Sequence, residues 1–85
     1  MLAVTLAATT AHIHGKIVSI DAKHGTFLIH HDPFPQMPMA MTMQVRPKHP
    51  ADLAKLHPGE IVDATVDMHS DPWVLSNIRP AAKHG

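Results

Sequence analysis

Cysteine is absent from the 85-residue chain, which excludes a disulfide framework and a thiolate metal site alike. An excess of either charge is also absent, because seven Lys and Arg balance seven Asp and Glu. Proteins that track phosphates show a clustered basic excess, so the balance argues against nucleic acid as a partner. Aromatic side chains are scarce. Phe27, Phe34 and Trp73 are too few for a base-stacking platform. No apolar run is long enough to span a bilayer, so membrane insertion of the folded domain is not expected. Nor is there a nucleophile–base pair, a phosphate loop or an H-E-x-x-H spacing, and an enzyme is not expected. A chain this short forms one domain and buries only about 60–65% of its unfolded surface. Function should therefore sit on a surface or at the mouth of a small barrel.

What the chain has in excess is histidine and methionine, nine and six respectively. A thioether, unlike a thiolate, is not lost to disulfide formation, which suits an oxidising compartment. The first eleven residues, MLAVTLAATTA, are small and apolar. Residues 1–11 read as a leader or signal-peptide remnant, with Thr9 and Ala11 at the −3 and −1 cleavage positions. A positive n-region is missing, so a first strand or an unstructured leader is the alternative.

From His12 onward, short β-type runs alternate with turn clusters. HIHGKIVSID (12–21) and TFLIHH (26–31) predict an antiparallel hairpin around Lys23–Gly25. Three prolines in DPFPQMP (32–38) forbid both a ladder interior and a helix, leaving a crossover loop. MAMTMQVR (39–46) alternates as a third strand, and ADLAKL (51–56) is the one plausible helical turn. EIVDATVDM (60–68) and WVLSNIR (73–79) supply strands four and five. Leu53, Leu56, Ile61, Val66, Leu75 and Ile78 are core candidates. The expected fold is all-β: a small five-stranded antiparallel OB-like barrel over residues 12–81 with one short helical turn, closed to remove its edges. Residues 82–85 read as a frayed tail.

Met37, Met39, Met41 and Met43 recur at every second position. In an extended stretch from Met39, the last three point to one face. Met is a flexible core filler, but Val or Ile would pack a pleated face better, so four in seven residues ask for another reason. Thioether sulfur is a soft, neutral donor suited to monovalent d¹⁰ ions. Two such sulfurs and one imidazole leave the ion its positive charge and hold it less permanently than a thiolate cage. The imidazole should come from the end of the preceding strand. His31 shares parity with Phe27 and Ile29, and His30 with Leu28. If Phe27 and Ile29 face the barrel, His31 opens onto the same side at its mouth.

HHDP followed by FPQMPMAMTM, with Met41-Thr42-Met43 opening the next strand, resembles the CusF-like periplasmic copper- and silver-binding domains. GKIVSIDAKHGTFLIHH resembles the family's first hairpin, LAKLHPGEIVDATV its L-x-x-L-x-P-G-[DE]-x-V segment, and SDPWVLSNIRP the last strand of one branch. The resemblance covers roughly Gly15 to Pro80. It implies a five-stranded OB-type barrel that binds Cu(I) or Ag(I) through His31, Met41 and Met43. It also implies a metallochaperone or buffer working in the periplasm with copper/silver efflux adaptor or pump components, expected as a monomer. In the best-known members a loop Trp just ahead of M-x-M covers the ion. Here that stretch is Met37-Pro38-Met39-Ala40, so Met37 or Met39 is expected to add a sulfur, or the ion to be more exposed. Trp73 lies in another segment and takes no such role in this reading.

His12-Ile13-His14 places two imidazoles on one strand face. Cleavage after Ala11 would create a His-Ile-His terminus able to chelate Cu(II), and two solvated strand histidines are the alternative. His24, His49, His57, His69 and His84 share no spacing and are expected in solvent. An OB-fold nucleic-acid binder is the rival function class, disfavoured by the charge balance.

Overall fold

A computed structural model describes residues 10–81, so residues 1–9 of the expected leader at 1–11 and the expected tail at 82–85 lie outside the described residues, while Thr10 and Ala11 of that leader belong to a strand. Five strands and one short helix follow in order: β1 (Thr10–Asp21), β2 (Thr26–His31), β3 (Met41–Pro47), the 3-10 helix η1 (Pro50–Lys55), β4 (Ile61–Asp67) and β5 (Trp73–Pro80). The strands are ordered β1-β2-β3-β5-β4, and β4 pairs again with β1, so the sheet closes on itself. No described helix is long and apolar enough to cross a membrane.

Alternation in the sequence explains which face each strand turns inward. Ile13 and Ile17 of β1, Phe27 and Ile29 of β2, Val45 of β3, Val62, Ala64 and Val66 of β4, and Leu75 of β5 form the buried core. Their neighbours, among them His12, Lys16, His30 and Gln44, lie on the solvent side. Strand β1 is long enough to serve two partners. Its first half pairs with β4 and its second with β2, and a bulge near Val18 bends it between them. Gly15 sits where both partners meet, opposite His31 on β2 and Val62 on β4. A Cβ there would lie 2.6 Å from the His30 carbonyl oxygen, so only glycine lets β1 and β2 approach this closely.

Several expectations need correction. The sheet is not wholly antiparallel, because β3 and β5 run parallel, Val45 opposite Trp73. The η1 and β4 segments between them form a crossover long enough to bring β5 back in the same direction. β3 starts at Met41 rather than Met39, since its partner β2 ends at His31 and leaves Met39 and Ala40 nothing to pair with. β1 begins at Thr10, two residues before the expected start, because Thr10 and Ala11 still find partners in Asp67 and Val66. Ile61 is 43% exposed instead of core, since alternation puts it on the same face as Asp63. Leu53 and Ile78 pack against the core only partly buried. The helical turn is 3-10 and starts at Pro50, whose fixed φ suits a first helical position.

The β1–β2 turn carries its own electrostatic fastening. The His24 ring donates to Asp21 Oδ2 at 2.7 Å, and this bond holds the exposed Asp21 carboxyl below its usual 3.8. A carboxylate with a lowered folded-state value stabilises the fold fully above its unfolded value and loses that contribution as pH falls through the lower one. Thermal melts of wild type and Asp21→Asn should therefore differ at about pH 7 and converge at about pH 2. A gap that persists in acid would assign the difference to the turn's shape instead.

Candidate metal centre

His31 is the last residue of β2 and shares the inward face of Phe27 and Ile29, so the strand's own parity carries its ring inside. It does not open at a mouth as expected. It is 0% exposed, with Phe34 edge-on at 5.2 Å between ring centroids and Trp73 at 6.1 Å. Phe34 reaches it because the 32–40 loop folds back in a small bridge, with paired backbone bonds between Phe34 and Met37. Trp73 reaches it because β5 runs beside β3.

The tautomer of His31 follows from its one hydrogen bond. Nδ1 lies 3.0 Å from the backbone carbonyl oxygen of Asp32, which can only accept, so Nδ1 carries the proton. Nε2 is then a bare lone pair. It is buried and has no hydrogen-bond partner, one of two such side-chain atoms among the described residues. Leaving a buried acceptor unsatisfied costs about 1–3 kcal/mol, and such atoms ask for an explanation. A soft cation accepted by that lone pair would supply one.

Two of the methionines lie on the adjoining strand. Met41 stands directly opposite His31 in the β2–β3 ladder, and Met43 stands opposite Ile29. Directly opposed residues on one face of such a pair bring their Cβ atoms within about 4.5–5.5 Å. Met43 packs half-buried against the core, whereas Met41 is 40% exposed at the rim. His31, Met41 and Met43 thus form one patch running from solvent to the buried imidazole. Met37 packs half-buried against the core from the loop, and Met39, outside the strand, is 67% exposed. The donor set, neutral imidazole nitrogen and thioether sulfur, fits a monovalent d¹⁰ ion.

A second group of polar side chains lies on the outer face. His12 and His14 of β1 both approach Asp63 of β4. Asp63 Oδ1 is 2.7 Å from His14 Nδ1 and 3.4 Å from His12 Nε2. Asp32 Oδ2 is 3.7 Å from His14 Nε2 on the other side. The hydrogen bond from His14, opposed by desolvation and helped by the electrostatics of both imidazoles, holds the Asp63 carboxyl below its usual 3.8.

Sequence reasoning did not place Phe34 and Trp73 at His31. Phe34 carries a signal, a large apolar residue between two prolines just after the histidines. Trp73 carries none, since its position depends on which strand lies beside β3.

The family model described as "Copper binding periplasmic protein CusF" matches residues 10–80. Among solved structures, apo-CusF from Escherichia coli is 20% identical, with 96% of this chain and 100% of that chain covered and a TM-score of 0.76. CusF–Ag(I) from Escherichia coli is 19% identical, with coverages of 86% and 92% and a TM-score of 0.67. A crystal structure of Ag(I)CusF is 18% identical, with coverages of 87% and 100% and a TM-score of 0.66. At such identities the likeness is one of fold. No curated protein matches the chain.

Proposed function

Because the chain belongs to the family of copper-binding periplasmic CusF proteins, we propose that it is a Cu(I)- and Ag(I)-binding module that holds its ion through His31, Met41 and Met43. The family is one of metal binders, not of enzymes. The observation that carries this reading is the buried, unpartnered Nε2 of His31, aligned across the ladder with Met41. The closed five-stranded sheet, with β3 and β5 parallel, is read as an OB-like barrel whose domain begins at Thr10, where β1 starts, rather than at the expected residue 12, and runs to residue 81.

In this reading His31 gives the directional, buried bond and Met43 a second donor beside it. Met41, at the rim, meets the incoming ion first. Phe34 and Trp73 keep water away from Nε2. All three donors are neutral, so the ion keeps its charge and can be exchanged to the ligands of another protein. That property suits a metallochaperone or buffer in the periplasm serving a copper/silver efflux adaptor or pump component, acting as a monomer. Met37, half-buried against the core, or Met39, exposed ahead of β3, adds a further sulfur from the loop.

Anaerobic titration of Cu(I) against a chelating competitor tests the ligand set. Wild type should take up one equivalent. Met41→Leu/Met43→Leu should lose more than the 10–100-fold typical of removing an outer partner of a ligand. X-ray absorption on the wild-type complex should count at least two sulfurs. An unchanged affinity in the double variant would remove the two methionines from the site.

A further inference from the structure

The outer-face cluster of His12, His14 and Asp63 is not used by the thioether patch, and its donors are chemically different. We infer that it is a second metal site, on the opposite side of the sheet, for a borderline divalent cation such as Cu(II) or Zn(II). The inference goes beyond the Cu(I) reading and stands without it.

The register creates the cluster. His12 and His14 are two apart on β1, so both rings leave the same face, and Asp63 stands directly opposite His14 on β4. One carboxylate oxygen, Asp63 Oδ1, already sits 2.7 Å from one imidazole nitrogen and 3.4 Å from the other. Zinc binds His nitrogen and carboxylate oxygen at about 2.0–2.2 Å, which puts tetrahedral ligand atoms about 3.3 Å apart. The two separations bracket that edge length. Asp32, beside the second nitrogen of His14, adds a second carboxylate nearby. Asp63 also stands across from Arg79 on β5.

Imidazole and carboxylate suit Zn(II) and Cu(II), whereas a monovalent d¹⁰ ion favours the sulfurs on the inner side. Among the described residues no three such side chains already converge on one point, so the site is assembled by the ion rather than preformed. Assembly requires that the His14 proton move from Nδ1 to Nε2, which faces Asp32 Oδ2 at 3.7 Å, freeing Nδ1 for the metal, and that His12, 64% exposed, turn its ring toward Asp63. The backbone takes no part, since Ile13 and His14 are held in the β1–β4 ladder. A chelate through main-chain amides at this point would have to unzip the strand.

Calorimetric titration of the metal-free chain with Zn(II), and separately with Cu(II), tests the site. One equivalent should bind to wild type and equally to a His31→Leu/Met41→Leu/Met43→Leu variant. His12→Gln/His14→Gln should bind at least about tenfold more weakly, while its Cu(I) affinity stays that of wild type. Cu(II) paramagnetic resonance should show nitrogen coupling that this variant loses. Should the double variant fold poorly, His12→Gln alone, at an exposed position, must still weaken divalent binding. Equal divalent affinity in the histidine variants, binding that requires His31, or no binding to wild type would each overturn the proposal.

Discussion

His31→Leu should lower Cu(I) affinity by at least about 100-fold and leave the metal-free chain as stable as wild type or more so. Removing even an outer partner of a metal ligand costs about 10–100-fold in affinity, and the ligand itself should cost more. Stability moves the other way for a separate reason. In the metal-free chain Nε2 of His31 is buried without a partner, and an unsatisfied acceptor costs about 1–3 kcal/mol. Against that stands the single bond from Nδ1 to the Asp32 carbonyl, worth about 0.5–1.5 kcal/mol net. Leucine has a similar size and needs no acceptor. One kcal/mol moves the melting temperature of a 60–100-residue domain by about 4–8 °C, so the variant should melt at the wild-type temperature or several degrees higher. The pairing of a lost ion with an unharmed fold is what distinguishes a ligand from a core residue. A fall of about 10 °C or more in the metal-free melt would mean that His31 is there for packing.

Gly15→Ala should have the largest effect on the fold. The added methyl would lie 2.6 Å from the His30 carbonyl oxygen, 2.9 Å from the His31 Cα and 3.0 Å from Ile29 Cγ1. The first two are backbone atoms and cannot rotate aside, so the end of β2 must move. Overpacking of this kind costs about 1–3 kcal/mol, and a clash against main chain belongs at the upper end. The melt should drop by about 10–20 °C. Because the displaced segment is the one that carries His31, Cu(I) affinity should fall with it. Gly25 offers the control. Its surroundings are empty and only its φ of +70° resists a side chain, so Gly25→Ala should cost about 1–2 kcal/mol of strain and leave affinity untouched. A Gly15→Ala chain with an unchanged melt would show that β1 and β2 do not approach as closely as described.

Parity made much of this legible. The inward face of Phe27, Ile29 and His31 and the shared face of Met41, Met43 and Val45 follow from a period of two, once one residue is known to be buried. The hairpin turn at Gly25 was equally readable. Pairing direction was not, because alternation is the same in parallel and antiparallel strands. The β3–β5 pair, and with it the position of Trp73, therefore had no signature in the sequence. Met39 fits the alternating pattern but falls outside the strand, since a ladder ends where its partner ends and His31 is the end of β2. The depth of His31 was missed for a related reason. A strand end lies in solvent by default, and only the fold-back of the 32–40 loop brings Phe34 over it. The register that joins His12 and His14 to Asp63 spans strands 49 residues apart and cannot be read locally.

The proton on His31 is set by a main-chain carbonyl, that of Asp32. Every amino acid brings the same carbonyl, so the nitrogen left free at His31 is insulated from sequence drift at position 32. Evolution can therefore rewrite that side chain for other purposes at no expense to the buried lone pair. Here the side chain turns outward to within 3.7 Å of His14. One residue thus touches two histidines, its main-chain oxygen holding His31 inside and its carboxylate lying beside His14 outside.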